Sequence, residues 1–344
     1  MRDLIEHLGR EIGMNYLIKS VFVVLVLSGI GCGGNSSSPV KSNTDKNAKA
    51  STKSKGIIGV SVLTLTNPFF KVIGDTIKEK GEKAGYAVEV VSGEFDVARQ
   101  QSQVKDFLVK KVSAIVLCPC DSRSIGAVIQ EANQAGVPVF TADIACLSPE
   151  AKVVTHIATD NYEGGKQAGL ATIEALGEAG GKVAVLDFRQ AESCILRVKG
   201  FKEIIDAHNK KNPKAQISVV AELPGDGKKD KSQSATEDVL QAHPDLAAIF
   251  AINDPSALGA RAALERANKA DAVKIIGFDG QPDGRQAIKE GKIFADPVQY
   301  PEKIGAQTIT AMLDYFDGKT PPREILIPTG LYKKADAMKD PELK

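Results

Sequence analysis

Ala114-Ile115-Val116-Leu117, then Ile125, Val128, Ile129 and Ala132, then Gly136 and Val137-Pro138-Val139-Phe140-Thr141: the stretch 114–141 decides the fold. Its two outer runs are short and apolar throughout, the pattern of strands buried on both faces. The middle set recurs at helical spacing, and a glycine closes it. Strand, helix and strand in this order form a unit whose strands lie parallel in one sheet.

The same rhythm extends in both directions. Upstream, Ile57-Ile58-Gly59-Val60-Ser61-Val62 reads as a buried strand, and Asn67 caps a helix that has Pro68 at its first position. Phe69, Val72, Ile73 and Ile77 keep that helix in register until Gly85; Val88-Glu89-Val90-Val91 is the next strand, and Val97, Val104, Phe107 and Leu108 mark another helix. Downstream, a break over 144–160 precedes a second series. Strands are predicted at 182–187, 216–221, 247–251, 273–277 and 293–298, with helices at 162–177, 194–208, 231–242, 255–267 and 283–290. A last helix at 301–316 gives the chain a way back to the first series. Two successive runs predict two α/β domains with parallel sheets covered on both faces, and ligands of such sheets sit beyond the carboxyl ends of the strands. The cleft between the domains is the expected site.

Composition agrees with a folded chain of this size. The 344 residues suffice for two ordinary domains, and 43% hydrophobic with 25% charged residues excludes a disordered chain. Lys+Arg 44 against Asp+Glu 43 leaves a net charge of +1, so no global field favours a nucleic-acid backbone. Trp is absent, so aromatic contacts fall to Phe and Tyr.

The amino end reads as an address. Met14-Asn15-Tyr16-Leu17-Ile18-Lys19 gives a short positive start, and Val21-Phe22-Val23-Val24-Leu25-Val26-Leu27 an apolar run too short to span a bilayer. We read 1–13 as an upstream over-call and 14–31 as an export signal. Gly31-Cys32-Gly33-Gly34 resembles a bacterial lipoprotein processing site, which implies a lipid anchor at Cys32, although Gly29 stands where that motif carries Leu. Gly29, Gly31 and Gly34 also spell G-x-G-x-x-G, but Asn35-Ser36-Ser37-Ser38-Pro39 follows where a dinucleotide turn needs a helix. Residues 32–55 read as a flexible tether.

A polar and aromatic set stands just past the predicted strands: Asn67, Phe69 and Phe70, then Asp143, Asn253-Asp254, Phe278-Asp279 and Gln299. Carboxylates and amides beside flat apolar rings suit a polyhydroxylated ring. Asn67 alone could be a helix cap, and Phe69 and Phe70 core residues; recurrence at strand ends favours a site.

Thr66-Asn67-Pro68-Phe69-Phe70, the string from Ala135 to Asp143, and His156-Ile157-Ala158-Thr159-Asp160-Asn161 resemble the ribose-type periplasmic binding proteins, the sugar receptors of ABC importers. So do Arg197-Val198-Lys199-Gly200-Phe201, Phe250-Ala251-Ile252-Asn253-Asp254, Gly277-Phe278-Asp279-Gly280 and Gln299-Tyr300-Pro301, in order from 56 to 325. The resemblance implies an α/β fold of the type I periplasmic binding protein kind, two doubly wound parallel-sheet lobes joined by three crossovers. It places the amino-terminal lobe at 56–159 plus 300–325, the carboxyl-terminal lobe at 160–299 plus 326–333, and a tail at 334–344. It further implies a monomer in the periplasm or cell envelope, with a sugar ligand, a membrane permease as partner, no cofactor and no catalysis.

Carried over by position, Asn67 would hydrogen-bond the sugar and Phe69 and Phe70 would flank it. Asp143, Arg197, Asn253, Asp279 and Gln299 would bond hydroxyls, Arg197 with a planar fork that Lys could not copy. Phe278 would stack on the ring. Three positions depart from the ribose receptor: Ile144 replaces an Arg, Leu63 a Ser, and the loop around Gly227 a stacking Phe. These departures imply a mono- or modified sugar with a less polar edge near Ile144.

Other chemistry finds little support. His7, His156, His208 and His243 show no metal-ligand spacing, and Gly177-Glu178-Ala179-Gly180-Gly181-Lys182 lacks the P-loop spacing and has Val183 where a hydroxyl should stand. Cys118-Pro119-Cys120, Cys146 and Cys194 read as small residues at strand ends, with one disulfide possible after export. A sugar-responsive regulator or sensory partner of the same fold is the alternative, but a regulator of the lactose-repressor type would need a basic helix-turn-helix ahead of residue 56.

Overall fold

The structure is a computed structural model that describes residues 54–343. The export signal, Cys32 and nearly all of the 32–55 tether lie outside the described residues.

The chain begins with β1 (Ile57–Val62), α1 (Pro68–Lys83), β2 (Ala87–Ser92), α2 (Val97–Val109) and β3 (Ala114–Leu117). It continues through α3 (Gly126–Gln134), β4 (Val139–Ala142) and β5 (His156–Thr159). A second series follows: α4 (Asn161–Leu176), β6 (Gly181–Asp187), α5 (Glu192–Lys211), β7 (Ile217–Pro224), α6 (Lys229–Ala242) and β8 (Leu246–Ala251). Then come α7 (Asp254–Arg266), β9 (Lys274–Ile276), α8 (Pro282–Lys289) and β10 (Ala295–Val298). The chain closes with α9 (Pro301–Phe316), β11 (Glu324–Ile327), β12 (Gly330–Lys333) and α10 (Lys334–Ala337).

Two six-stranded sheets result, ordered β11-β5-β4-β3-β1-β2 and β12-β10-β9-β8-β6-β7. Every pairing is parallel except that of β12 with β10. The chain passes between the sheets three times: after β5, after β10, and between β11 and β12. Two details correct the sequence reading. A lobe boundary at 325/326 would fall inside β11, because Leu326 and Ile327 still pair with Ala158 and Thr159; the crossing is at Pro328-Thr329. The expected tail is docked over its described residues 334–343, with Asp340 accepting from Arg285 at 2.8 Å and from Tyr332 at 2.7 Å.

The break expected over 144–160 hides β5. His156 opens this strand and is buried, with Nδ1 2.9 Å from Thr141 Oγ1 on the neighbouring strand. Burial holds the imidazole down to about 4, so it serves as a neutral core residue. Central strands β3 and β4 are buried at every position, as strands covered by helices on both faces must be.

Candidate functional site

Helix starts aim the site residues. Asn67 Oδ1 accepts the Phe69 N–H at 3.0 Å and so caps α1. Its other amide atom, Nδ2, remains for a ligand. Asn253 caps α7 through Oδ1 (Ser256 N, 3.0 Å), and its Nδ2 donates to Gly227 O at 3.1 Å. Its amide therefore fixes the loop at Gly227 as well as facing the cavity.

Arg197 is placed by a close approach of α4 and α5. A Cβ at Gly165 would lie 2.1 Å from Arg197 O, and one at Gly200 would lie 2.1 Å from Tyr162 O, so only glycines permit this helix contact. The approach lets Asn161 Oδ1 accept from Arg197 Nε at 2.7 Å. Arg197 Nη1 donates to Ile252 O at 2.6 Å and to Asp279 Oδ1 at 3.3 Å, and the side chain is buried.

A cavity lies between the two sheets. From the first lobe, Leu63, Asn67, Phe69, Phe70, Phe95, Asp143 and Ile144 line it. From the second come Phe188, Ala191, Ser193, Cys194, Arg197, Gly227, Asn253, Asp279 and Gln299. The lobes also touch around it: Ser122 N donates to Gln190 O and Ser122 Oγ accepts from Glu192 N, both at 2.9 Å. The Lys228 ammonium lies 4.3 Å from the centre of the Phe95 ring.

Charged and apolar side chains share the lining of the cavity. Asp143 and Asp279 have φ of +65° and +101°, left-handed backbone that L-residues adopt only where surrounding structure imposes it. Burial pushes Asp143 up to about 7, against the pull of Arg197 and with repulsion from Asp279. Burial likewise raises Asp279 to about 6, opposed by Arg197 and by Gln299, whose Nε2 donates to Asp279 Oδ1 at 2.7 Å. Asp143 Oδ1 and Gln299 Oε1 are buried and have no hydrogen-bond partner among the described residues. Leu63, Ile144, Ala191 and Cys194 add apolar surface to the lining.

Phe278 is misassigned by the sequence. Its ring is fully buried and does not line the cavity; the Arg197 guanidinium carbon sits 3.9 Å over its centre. On another side it packs against Gly164, where a Cβ would approach the ring to 2.5 Å. It supports the arginine from behind. The aromatic faces in the cavity are instead joined by Phe95 and Phe188, one from each lobe, with centroids 6.1 Å apart. Sequence reading passed over both, yet each follows a strand, β2 and β6, and the strand-end rule reaches them. Cys118, Cys120, Cys146 and Cys194 are free thiols, so the disulfide considered for them is not formed.

Residues 58–320 match a family model described as a periplasmic binding protein domain. The ribose import binding protein of Bacillus subtilis is 35% identical over 287 residues, 83% of this chain and 90% of that protein. The D-apiose import binding protein of Paraburkholderia graminis is 29% identical over 295 residues, 85% of this chain and 92% of that protein. An ABC transporter periplasmic solute binding protein from Actinobacillus succinogenes, solved with bound D-allose, superposes with a TM-score of 0.74 at 26% identity. That match covers 83% of this chain and 100% of the other. The match in sequence over most of the chain, together with two parallel-sheet lobes that share a cavity, means that the chain belongs to the periplasmic binding protein family.

Proposed function

We propose that this protein is a solute receptor that holds a monosaccharide or modified sugar between its lobes and delivers it to an ABC-type importer, without chemical turnover. The observation that carries the reading is the cavity itself. Buried acceptors on Asp143 and Gln299 lack partners among the described residues, and the fork of Arg197 stands beside Asp279. Left dry, such groups cost roughly 1–3 kcal/mol each, and neutral hydroxyls would satisfy them. Ring faces from Phe95 and Phe188 supply apolar contact for the C–H side of a sugar.

Ile144 and Leu63, buried in the cavity wall, offer no partner to a hydroxyl, which supports a ligand with a less polar edge there. A thermal-shift screen with D-ribose, D-allose, D-apiose, myo-inositol and deoxy sugars, followed by calorimetry, tests both statements. One of these compounds should raise the melting temperature and be recovered unchanged. If none does, the receptor reading fails; if D-ribose binds best, at sub-micromolar affinity, the apolar-edge reading fails. The protein is further proposed to be exported and held at the membrane by a lipid on Cys32. A mature chain whose mass retains Met14 or an unmodified Cys32 would contradict that.

A further inference from the structure

Behind the cavity two buried carboxyl groups come together at Gly277, where a Cβ would lie 2.4 Å from Asp296 Oδ1 and 3.2 Å from Ala257 Cβ, one turn along α7 from Asp254. Asp254 opens α7 and Asp296 lies on β10; both are buried. Asp254 Oδ2 accepts the Gln281 N–H at 2.7 Å. Asp254 Oδ1 and both carboxylate oxygens of Asp296 find no donor among the described residues, although the two side chains are placed to hydrogen-bond each other. The walls of this pocket are glycine: a Cβ at Gly284 would lie 2.0 Å from Asp254 Oδ1, and one at Gly277 2.4 Å from Asp296 Oδ1.

The pair brackets the turn that carries Asp279. Asp296 stands between Ala295 and Pro297, whose carbonyls accept the Gly277 N–H at 3.1 Å and the Asp279 N–H at 3.1 Å. From the other side, Asp254 holds the Gln281 N–H. Asp279, kept at φ +101° between these anchors, presents its carboxylate to Arg197 and Gln299.

We propose that Asp254 and Asp296 share one proton through neutral pH and together act as positioning residues for Asp279. Two buried carboxylates in contact cannot both ionise without strong repulsion, and one shared proton gives the orphaned oxygens a donor. The charged group that bears on both members is Asp279, which faces Arg197 on its far side. Arg285 on α8 is engaged elsewhere, by Asp340 and Glu342. Loss of the shared proton in alkaline solution would push the pair apart, release the Gln281 N–H and slacken the turn.

This inference rests on the sugar-receptor reading for its consequence, but the proton is testable without a ligand. Difference infrared spectra of the ligand-free protein, wild type minus Asp296→Asn, should show the carbonyl stretch of a protonated carboxyl group at neutral pH. The band should vanish in alkaline solution. Affinity for the tightest binder of the sugar panel should fall at least about fivefold between about pH 7 and about pH 9.5 in the wild type. Asp296→Asn, whose amide can donate permanently to Asp254, should keep the neutral-pH affinity and show a clearly smaller fall toward alkaline pH, the remainder coming from Asp143 in the cavity wall. Asp296→Ala should bind more weakly at every pH. Absence of the band, or an Asp296→Asn variant with the wild-type pH profile, would overturn the proposal. Failure of every panel sugar to bind would count against the receptor reading, while the infrared band still decides the proton.

Discussion

Replacing Arg197 by Ala tests the cavity more directly than any other single change. The substitution removes three hydrogen bonds at once: to Asn161 Oδ1 at 2.7 Å, to Ile252 O at 2.6 Å and to Asp279 Oδ1 at 3.3 Å. It also strips the cation from the face of Phe278. Two costs follow, and they are read by different assays. Folding loses the partner of a buried carboxylate, worth about 3–5 kcal/mol, which for a chain of this size lowers the melting temperature by about 2–4 °C per kcal/mol. Binding loses charge-assisted donation to the ligand, at least about 1–3 kcal/mol, or roughly 5–150-fold in Kd. Circular dichroism confirms that the variant is folded, and calorimetry with the tightest panel sugar measures Kd on that folded sample. Arg197→Lys sharpens the test. It keeps the charge but not the planar fork, so it should regain part of the stability and little of the affinity. If both variants are folded and bind within about twofold of wild type, the contacts assigned here are wrong.

Two other changes separate cavity residues from their supports and bring in pH. Phe188→Ala should weaken sugar binding about tenfold by calorimetry, because it removes a ring face from the cavity, whereas Phe278→Leu should mainly lower stability in urea unfolding, by about 1 kcal/mol, through the lost support of Arg197. The reverse ranking would return Phe278 to the cavity wall. Asp143 is held up at about 7 in the fold against 3.8 for the free side chain, so the folded state binds more protons between those values. Its contribution to stability is therefore present at low pH and is lost as pH rises through about 7. The melting temperature of the ligand-free protein should fall over this window, and Asp143→Asn should flatten the fall; equal slopes for the two proteins would refute the assignment.

Much of the site was legible because strand ends are legible. Asn67, Asp143, Asn253, Asp279 and Gln299 each follow an apolar run whose burial the sequence announces, and a parallel sheet brings those ends to one edge. Phe278 shows where this logic stops. It too follows a strand, but side chains alternate along an extended backbone, and the one that points inward must fill a space the sequence does not describe. Arg197 and Gly164 define that space, and both belong to helices that meet only in the fold. Strand β5 was missed for a related reason: His156 looks polar until Thr141, on the next strand, supplies its partner.

By itself the amino-acid sequence determined the α/β series, the helix caps and the residues offered at the strand ends, since these depend on periodicity and on backbone groups a few positions apart. Tertiary structure decided which rings face the cavity, where the chain makes its last crossing, and that Asp254 and Asp296 meet behind Asp279. Those outcomes depend on contacts between segments remote in the chain, where packing and desolvation act on groups whose sequence neighbours carry no sign of them.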